Sequence, residues 1–464
     1  MNTVIIALLV LVCGGTIFLK PVDGPAALAM CAVAAVPTII ILARTPEQRT
    51  FLLRLFMLAL IIRIVLAVVI NVGHMEEFFG GDANTYDIFG QSLREAWHGN
   101  NYHQGKYDSF VASGASAWGM LYLVASVYEL VGPNMLAIQL INAAIGGATA
   151  IVVYHATQTL FNNTRASKTA AVLVAFFPSL VLWSSQALKD GLIILALALS
   201  ILATLRLMEE IKAQWVLILI GCLMVLFSMR FYIFYMMCAA VLGSFFLGMK
   251  TLNAHGFLQR FIAVGVIGLA FTWFGVLQSA GTQIERYANL QSVENSRRDQ
   301  ASAGSGFMKD VDVGTTEGAL TVIPMGLLYL MFAPFPWQFT TLRQVITLPE
   351  MIVWWLAFPL LVLGLWYSLK HRLRQVSPII IFTTMLTLAY SLFQGNVGTA
   401  YRQRSQLLVF YFIFVAVGAV IMKERSENRR LQQQLAKQDL ADLQAARVLA
   451  RRKGAEAHRG PASV

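Results

Sequence analysis

Long apolar runs recur from one end of this chain to the other, and they decide what it can fold into. Val4 to Leu19 and Phe51 to Val72 are two of them. Each covers most of a hydrocarbon core of roughly 30 Å at about 1.5 Å per helical residue. Of 464 residues, 57% are hydrophobic and 13% charged, against about 25% charged in an ordinary soluble domain. Backbone polar groups in lipid must be paired within their own segment, so runs of this kind are helices rather than strands. The chain is expected to be an all-α, polytopic transmembrane helical bundle.

Lys and Arg gather in cytoplasmic loops, and placing the basic loops on one side orders the rest. Those loops are Arg44 to Arg49, Arg165 to Lys168, Arg206 to Lys212, Lys250 to Arg260, Lys370 to Arg374, and everything after Lys423. Both termini then lie in the cytoplasm. About 12 spans are expected near 3–19, 25–43, 50–72, 134–160, 168–186, 190–206, 214–229, 231–249, 258–279, 350–369, 377–393 and 405–422. The first is read as a retained span rather than a cleaved signal.

Trp118 to Val131 and Val322 to Phe335 are too short to cross comfortably. Counting them as spans would put the middle basic loops outside, so they are placed as juxtamembrane or re-entrant helices; the alternative is 14 spans. Two large outer loops follow, 73–133 and 280–349, the second rich in small residues around Ala301 to Gly306 and expected to be partly mobile. The domain division is 1–422, the transmembrane part, and 423–464, a cytoplasmic charged helical tail with a disordered end from Gly454. That tail carries ten Lys and Arg against five Asp and Glu, so it accounts for much of the net charge of +11. Membrane orientation explains the charge without nucleic acid. The four cysteines lie in apolar runs and show no disulfide or metal framework. No Gly-rich nucleotide loop is present.

Against this apolar background, Gly80-Gly81-Asp82-Ala83-Asn84-Thr85-Tyr86-Asp87 stands out. A carboxylate on a Gly-Gly turn beside the end of a span suits a general base or metal ligand at the membrane surface. A capping role for Asp82 is the plainer alternative. Asp87 lies largely off its face and is expected to be structural or solvated. Pro178 breaks the run that ends at Lys189-Asp190, making Asp190 a second candidate carboxylate unless it only caps the next helix. Arg230, Arg402 and Arg404 sit in short outer loops, where guanidinium groups suit phosphate recognition, or else anchor to headgroups. Arg63 lies mid-span and calls for a partner, an acidic residue being one candidate.

Gly81-Asp82 with Tyr86, Leu130-Val131-Gly132-Pro133 through Asn142, Pro178 through Asp190, and Thr399 to Arg404 together resemble the GT-C superfamily of polytopic glycosyltransferases. The likeness is to bacterial members similar to the protein-mannosyltransferase and aminoarabinose-transferase group, in order over roughly residues 50–210. It implies a glycosyltransferase in a bacterial inner membrane, moving a sugar from a polyprenyl-phosphate donor to a glycan, lipid or protein acceptor at the outer face. Cell-envelope or exopolysaccharide assembly is the implied setting. Asp82 and Asp190 would be catalytic, with Asp190 orienting substrate or helping to bind a divalent cation. Tyr86, Lys189, Arg230, Arg402 and Arg404 would bind substrate. A polysaccharide polymerase or ligase using a polyprenyl-pyrophosphate-linked glycan, and a lipid-linked glycan transporter or flippase, remain open alternatives.

Overall fold

A computed structural model describes residues 3–44, 47–112, 118–247, 254–273, 276, 290–302, 305–308, 311–339 and 342–457. Among these the chain is helical, with one isolated bridge between Gly306 and Asn396 as its only β-type pairing. The expected all-α class is borne out. The opening helices are α1 (Thr3–Leu19), α2 (Gly24–Arg44), α3 (Arg49–Val72), α4 (Glu76–Phe79), α5 (Asp82–Trp97), α6 (Asn101–Ala112) and α7 (Trp118–Val131). They are followed by α8 (Met135–Phe161), α9 (Thr164–Phe176), α10 (Pro178–Trp183), α11 (Asp190–Glu209), α12 (Ala213–Met229), α13 (Phe231–Leu247) and α14 (Ala254–Trp273). The last four are α15 (Leu290–Ser302), α16 (Thr316–Phe332), α17 (Leu342–Phe393) and α18 (Val397–Ala457).

Several of the basic loops gather at one end. Arg165 pairs with Glu427 at 3.2 Å, Arg372 reaches the Leu160 carbonyl at 3.3 Å, and the Lys168 ammonium lies 5.1 Å from the Phe51 ring. Arg372 has non-helical φ/ψ within α17, so the two spans expected there join at a kink in one long element.

Both short apolar helices touch the opposite end of the bundle, and α16 ends deeper, where Phe332 packs on Phe358 and the Trp354 indole donates to the Met331 carbonyl. In α7, Gly119 abuts Ser228 at the close of α12, and α8 starts where Asn134 donates to the Asp23 carbonyl between α1 and α2. In α16, Gly326 lies against Ser391 near the end of α17, and the chain returns to that side by Arg343, which donates to the Glu77 carbonyl.

Several expectations need correction. The span expected over 168–186 is two pieces, because Pro178 has no N–H to continue α9. Residues 274–275 and 277–279 of the span expected over 258–279 lie outside the described residues. Of the stretch around Ala301 to Gly306, residues 303–304 lie outside the described residues, while Ser305 to Phe307 pair with residues 395–397. Phe307 donates to the Gly395 carbonyl at 2.8 Å and Val397 to that of Ser305 at 3.0 Å. The charged tail continues the last span without a break, and the helix runs to Ala457, past the Gly454 where disorder was expected. Residues 458–464 lie outside the described residues.

Candidate functional site

The broken helix α9/α10 makes the site possible. Without a Pro178 N–H, the Val174 carbonyl loses its helical partner, and the turn at Phe177 frees its neighbour. Arg63, fully buried mid-span, fills the gap. It donates to the carbonyls of Ala175 at 2.7 Å and Val174 at 3.5 Å, and to Ser184 Oγ at 2.8 Å. Arg63 therefore answers the cost of a membrane charge with carbonyls rather than an acidic partner. Gly146 leaves the room, since a Cβ there would lie 2.6 Å from Arg63 Nε and 2.4 Å from Ser184 Oγ.

Beyond the break, residues 184–189 form a buried loop held by Asn142, whose amide donates to the carbonyls of Gln186 and Leu188, both at 2.7 Å. This bracing delivers Lys189 and Asp190 to the start of α11. A carboxylate in the first turn of a helix meets the positive end of its dipole.

Asp82 arrives from another direction. Gly80 has φ 146°, a conformation that only glycine adopts easily. A Cβ there would lie 3.8 Å from Arg402 Nη1, so the turn passes close over the site. Asp82 then opens α5, and its carboxylate turns to Arg402 rather than to the helix backbone, whose cap residue is Gly81.

Arg402, in the second turn of α18, joins the two. Its Nη1 lies 2.7 Å from Asp82 Oδ2, while Nε and Nη2 lie 2.9 and 2.5 Å from Asp190 Oδ2. Its guanidinium also lies 5.7 Å from the Trp183 ring. Arg230 Nη2 approaches Asp190 Oδ1 at 3.6 Å, and Gln406 Nε2 reaches the same oxygen at 3.5 Å. Lys189 Nζ sits 5.9 Å from the Tyr86 ring centre. Burial, then the charge of Arg230, pulls the Lys189 ammonium down to about 7. Burial and the neighbouring carboxylates push the Tyr86 phenol well above its ordinary value, so it stays neutral.

The structure thus brings together Asp82, Asp190, Tyr86, Lys189, Arg230 and Arg402. Arg404 is not among them. It points into the protein, donating to the carbonyls of Met331 at 3.1 Å and Ala333 at 3.0 Å, where it holds the end of α16. Residues two apart on a helix lie about 200° apart, so Arg402 and Arg404 cannot share a face. Asp87 accepts from the Tyr128 hydroxyl and ties α5 to α7, a structural part. Gln406 and Trp183 went unmarked in the sequence; Gln406 had a signal, lying one turn after Arg402 on the same face.

The cluster combines two carboxylates with three cationic side chains, a net positive balance when Lys189 is charged. Arg230 is buried, and its Nη1 has no hydrogen-bond partner. Such a site suits an additional anion. A divalent cation fits poorly: both carboxylates are already engaged by guanidinium groups, and among the described residues no three His, Cys, Asp or Glu side chains converge.

Residues 117–277 match the family described as dolichyl-phosphate-mannose-protein mannosyltransferase. The resemblance to GT-C glycosyltransferases is borne out on that stretch. It contains Lys189, Asp190 and Arg230 but neither Asp82 nor Arg402. No curated protein sequence matches the chain. Among solved structures it is similar to the archaeal oligosaccharyltransferase AglB from Archaeoglobus fulgidus in complex with an inhibitory peptide and a dolichol-phosphate, at 15% identity and TM-score 0.39. It is also similar to the Archaeoglobus fulgidus oligosaccharyltransferase in the apo form, at 16% identity and TM-score 0.38. Each similarity covers 68% of this chain and 43% of the other, so the chain spans less than half their length.

Proposed function

We propose that this protein is a membrane glycosyltransferase that moves a sugar from a polyprenyl-phosphate-linked donor to an acceptor hydroxyl at the face opposite the basic loops. One observation carries the reading: Asp82 and Asp190, 108 residues apart in sequence, meet on the single guanidinium of Arg402, with Arg230 and Lys189 beside them.

The chemistry follows from charge. The acceptor oxygen attacks the anomeric carbon, the bond from that carbon to the phosphate oxygen breaks, and the hydroxyl proton passes to Asp82. Negative charge grows on the departing lipid phosphate, where Arg402, Arg230 and Lys189 stabilise it more than they stabilise the starting donor. Phosphate is a good leaving group, so no strong general acid is needed. As the phosphate draws Arg402 Nη1 toward itself, the Asp82 carboxylate is released to accept the proton. Asp190, fully buried, stays behind to hold the cationic side chains in register.

Envelope or exopolysaccharide assembly in a bacterial inner membrane is the setting this reading suits. Full-length protein in proteoliposomes, given radiolabelled polyprenyl-phosphate-mannose and a membrane extract as acceptor, is expected to remove label from the lipid. It is expected to leave a sugar nucleotide untouched. Use of the sugar nucleotide with the lipid donor intact would overturn the proposal.

A further inference from the structure

Asp190 shares its tightest partner. Arg402 also binds Asp82 and, on the function proposed above, turns toward the donor phosphate. Every hydrogen bond that Arg402 gives to phosphate loosens its hold on Asp190 Oδ2. A fully buried carboxylate left short of partners is costly and free to shift. Arg230, 3.6 Å from the other carboxylate oxygen, is drawn to the same phosphate, so a partner outside the cationic set must keep Asp190 in place at that moment.

The other oxygen, Oδ1, faces a line of side chains from three separate helices. Gln406 Nε2 lies 3.5 Å away, at the limit of hydrogen-bond reach. The amide carbonyl of Gln406 accepts from the Tyr390 hydroxyl at 2.7 Å, and the Tyr232 hydroxyl lies 3.4 Å beyond. Gln406 and Tyr390 are fully buried.

The direction of each link follows from chemistry. An ionised carboxylate only accepts, so Gln406 must present its NH2 group to Asp190 and its carbonyl to Tyr390. The one proton of Tyr390 is then committed to Gln406. Tyr232 must therefore donate to Tyr390. A flipped Gln406 amide would set its carbonyl against the carboxylate.

We propose that Tyr232, Tyr390 and Gln406 form a one-way hydrogen-bond chain that holds Asp190 while Arg402 engages the donor, making Tyr390 and Gln406 positioning residues for the transfer step. The inference rests on the proposed function for its kinetic part and on the site geometry alone for its structural part. The two parts can be tested separately.

The experiment is a double-mutant cycle in the full-length protein, pairing Tyr390→Phe with Asp190→Asn. Tyr390→Phe keeps the ring and removes only the hydroxyl. It is expected to lower kcat for cleavage of polyprenyl-phosphate-mannose by up to about tenfold, the upper end for one neutral hydrogen bond, with the donor KM unchanged. In the Asp190→Asn background the same change is expected to have no further effect, because no carboxylate remains to be held. An equal loss in both backgrounds, or no loss in either, overturns the proposal. Thermal unfolding of the same four proteins gives a readout independent of the donor: non-additive shifts are expected, and additive ones contradict the chain. Wild-type protein that cleaves no lipid-linked sugar yet shows the thermal coupling would count against the proposed function and for the chain. Should Tyr390→Phe fail to reach the membrane, Gln406→Leu takes its place in the cycle with the same two expectations.

Discussion

Arg402 and Asp190 meet through two contacts, Nε and Nη2 on a single carboxylate oxygen at 2.9 and 2.5 Å, with the aspartate wholly buried. The remaining arm of the guanidinium reaches Asp82 at 2.7 Å. A lysine has one charged nitrogen and no planar fork, so it cannot serve both carboxylates and a phosphate. Arg402→Lys is expected to lower kcat/KM for the lipid donor by about a hundredfold or more, in the range found when one preorganised donor is lost. Donor-cleavage kinetics in proteoliposomes check this, and near-normal turnover would contradict it.

Lys189 gives the site a pH dependence. Burial and Arg230 bring its ammonium down to about 7 in the free protein. Below that value it is charged and favours an anionic donor; above it, the charge is lost and binding weakens. A phosphodiester donor has no group of its own titrating there. Donor KM is therefore expected to rise as pH increases through 7, by at most about tenfold per unit. Lys189→Met is expected to have a high donor KM already at low pH and to lose this rise. A Lys189→Met profile matching the wild type would rule the assignment out.

Arg63 is expected to act through the fold. Arg63→Met leaves the carbonyls of Val174 and Ala175 and the Ser184 hydroxyl without their charged donor. A loss of about 2–4 kcal/mol in stability is expected from such orphaned groups. Thermal unfolding in detergent reports it, and an unchanged midpoint would show that the break at Pro178 needs no such brace.

Arg404 is expected to differ from Arg402 in kind. Because it holds the carbonyls of Met331 and Ala333, Arg404→Met should lower the unfolding temperature while leaving the donor KM of the surviving protein near that of wild type. A selective rise in KM with full stability would restore Arg404 to the substrate site.

Much of the fold and of the site is legible in the sequence. Apolar runs and basic loops order most of the long helices. Asp82, Asp190, Arg230 and Arg402 stood out because charge near a membrane is scarce and needs a reason. Helical geometry could also have separated Arg402 from Arg404. What could not be read is which partner a buried group finds. Arg63 meets carbonyls freed by a proline more than a hundred residues away, and Tyr390 reaches Asp190 only through Gln406. Such pairings depend on how distant helices pack, and a single sequence does not carry that information.

The central claim is that Asp82 takes the acceptor's proton at a site shared with Asp190 and Arg402. Transfer from polyprenyl-phosphate-mannose by Asp82→Asn protein, normally inserted in proteoliposomes and with wild-type thermal stability, tests it most directly. The expected result is a fall in kcat of about a hundredfold or more, within the range contributed by general-base catalysis, with donor binding retained. Transfer at the wild-type rate would contradict the account.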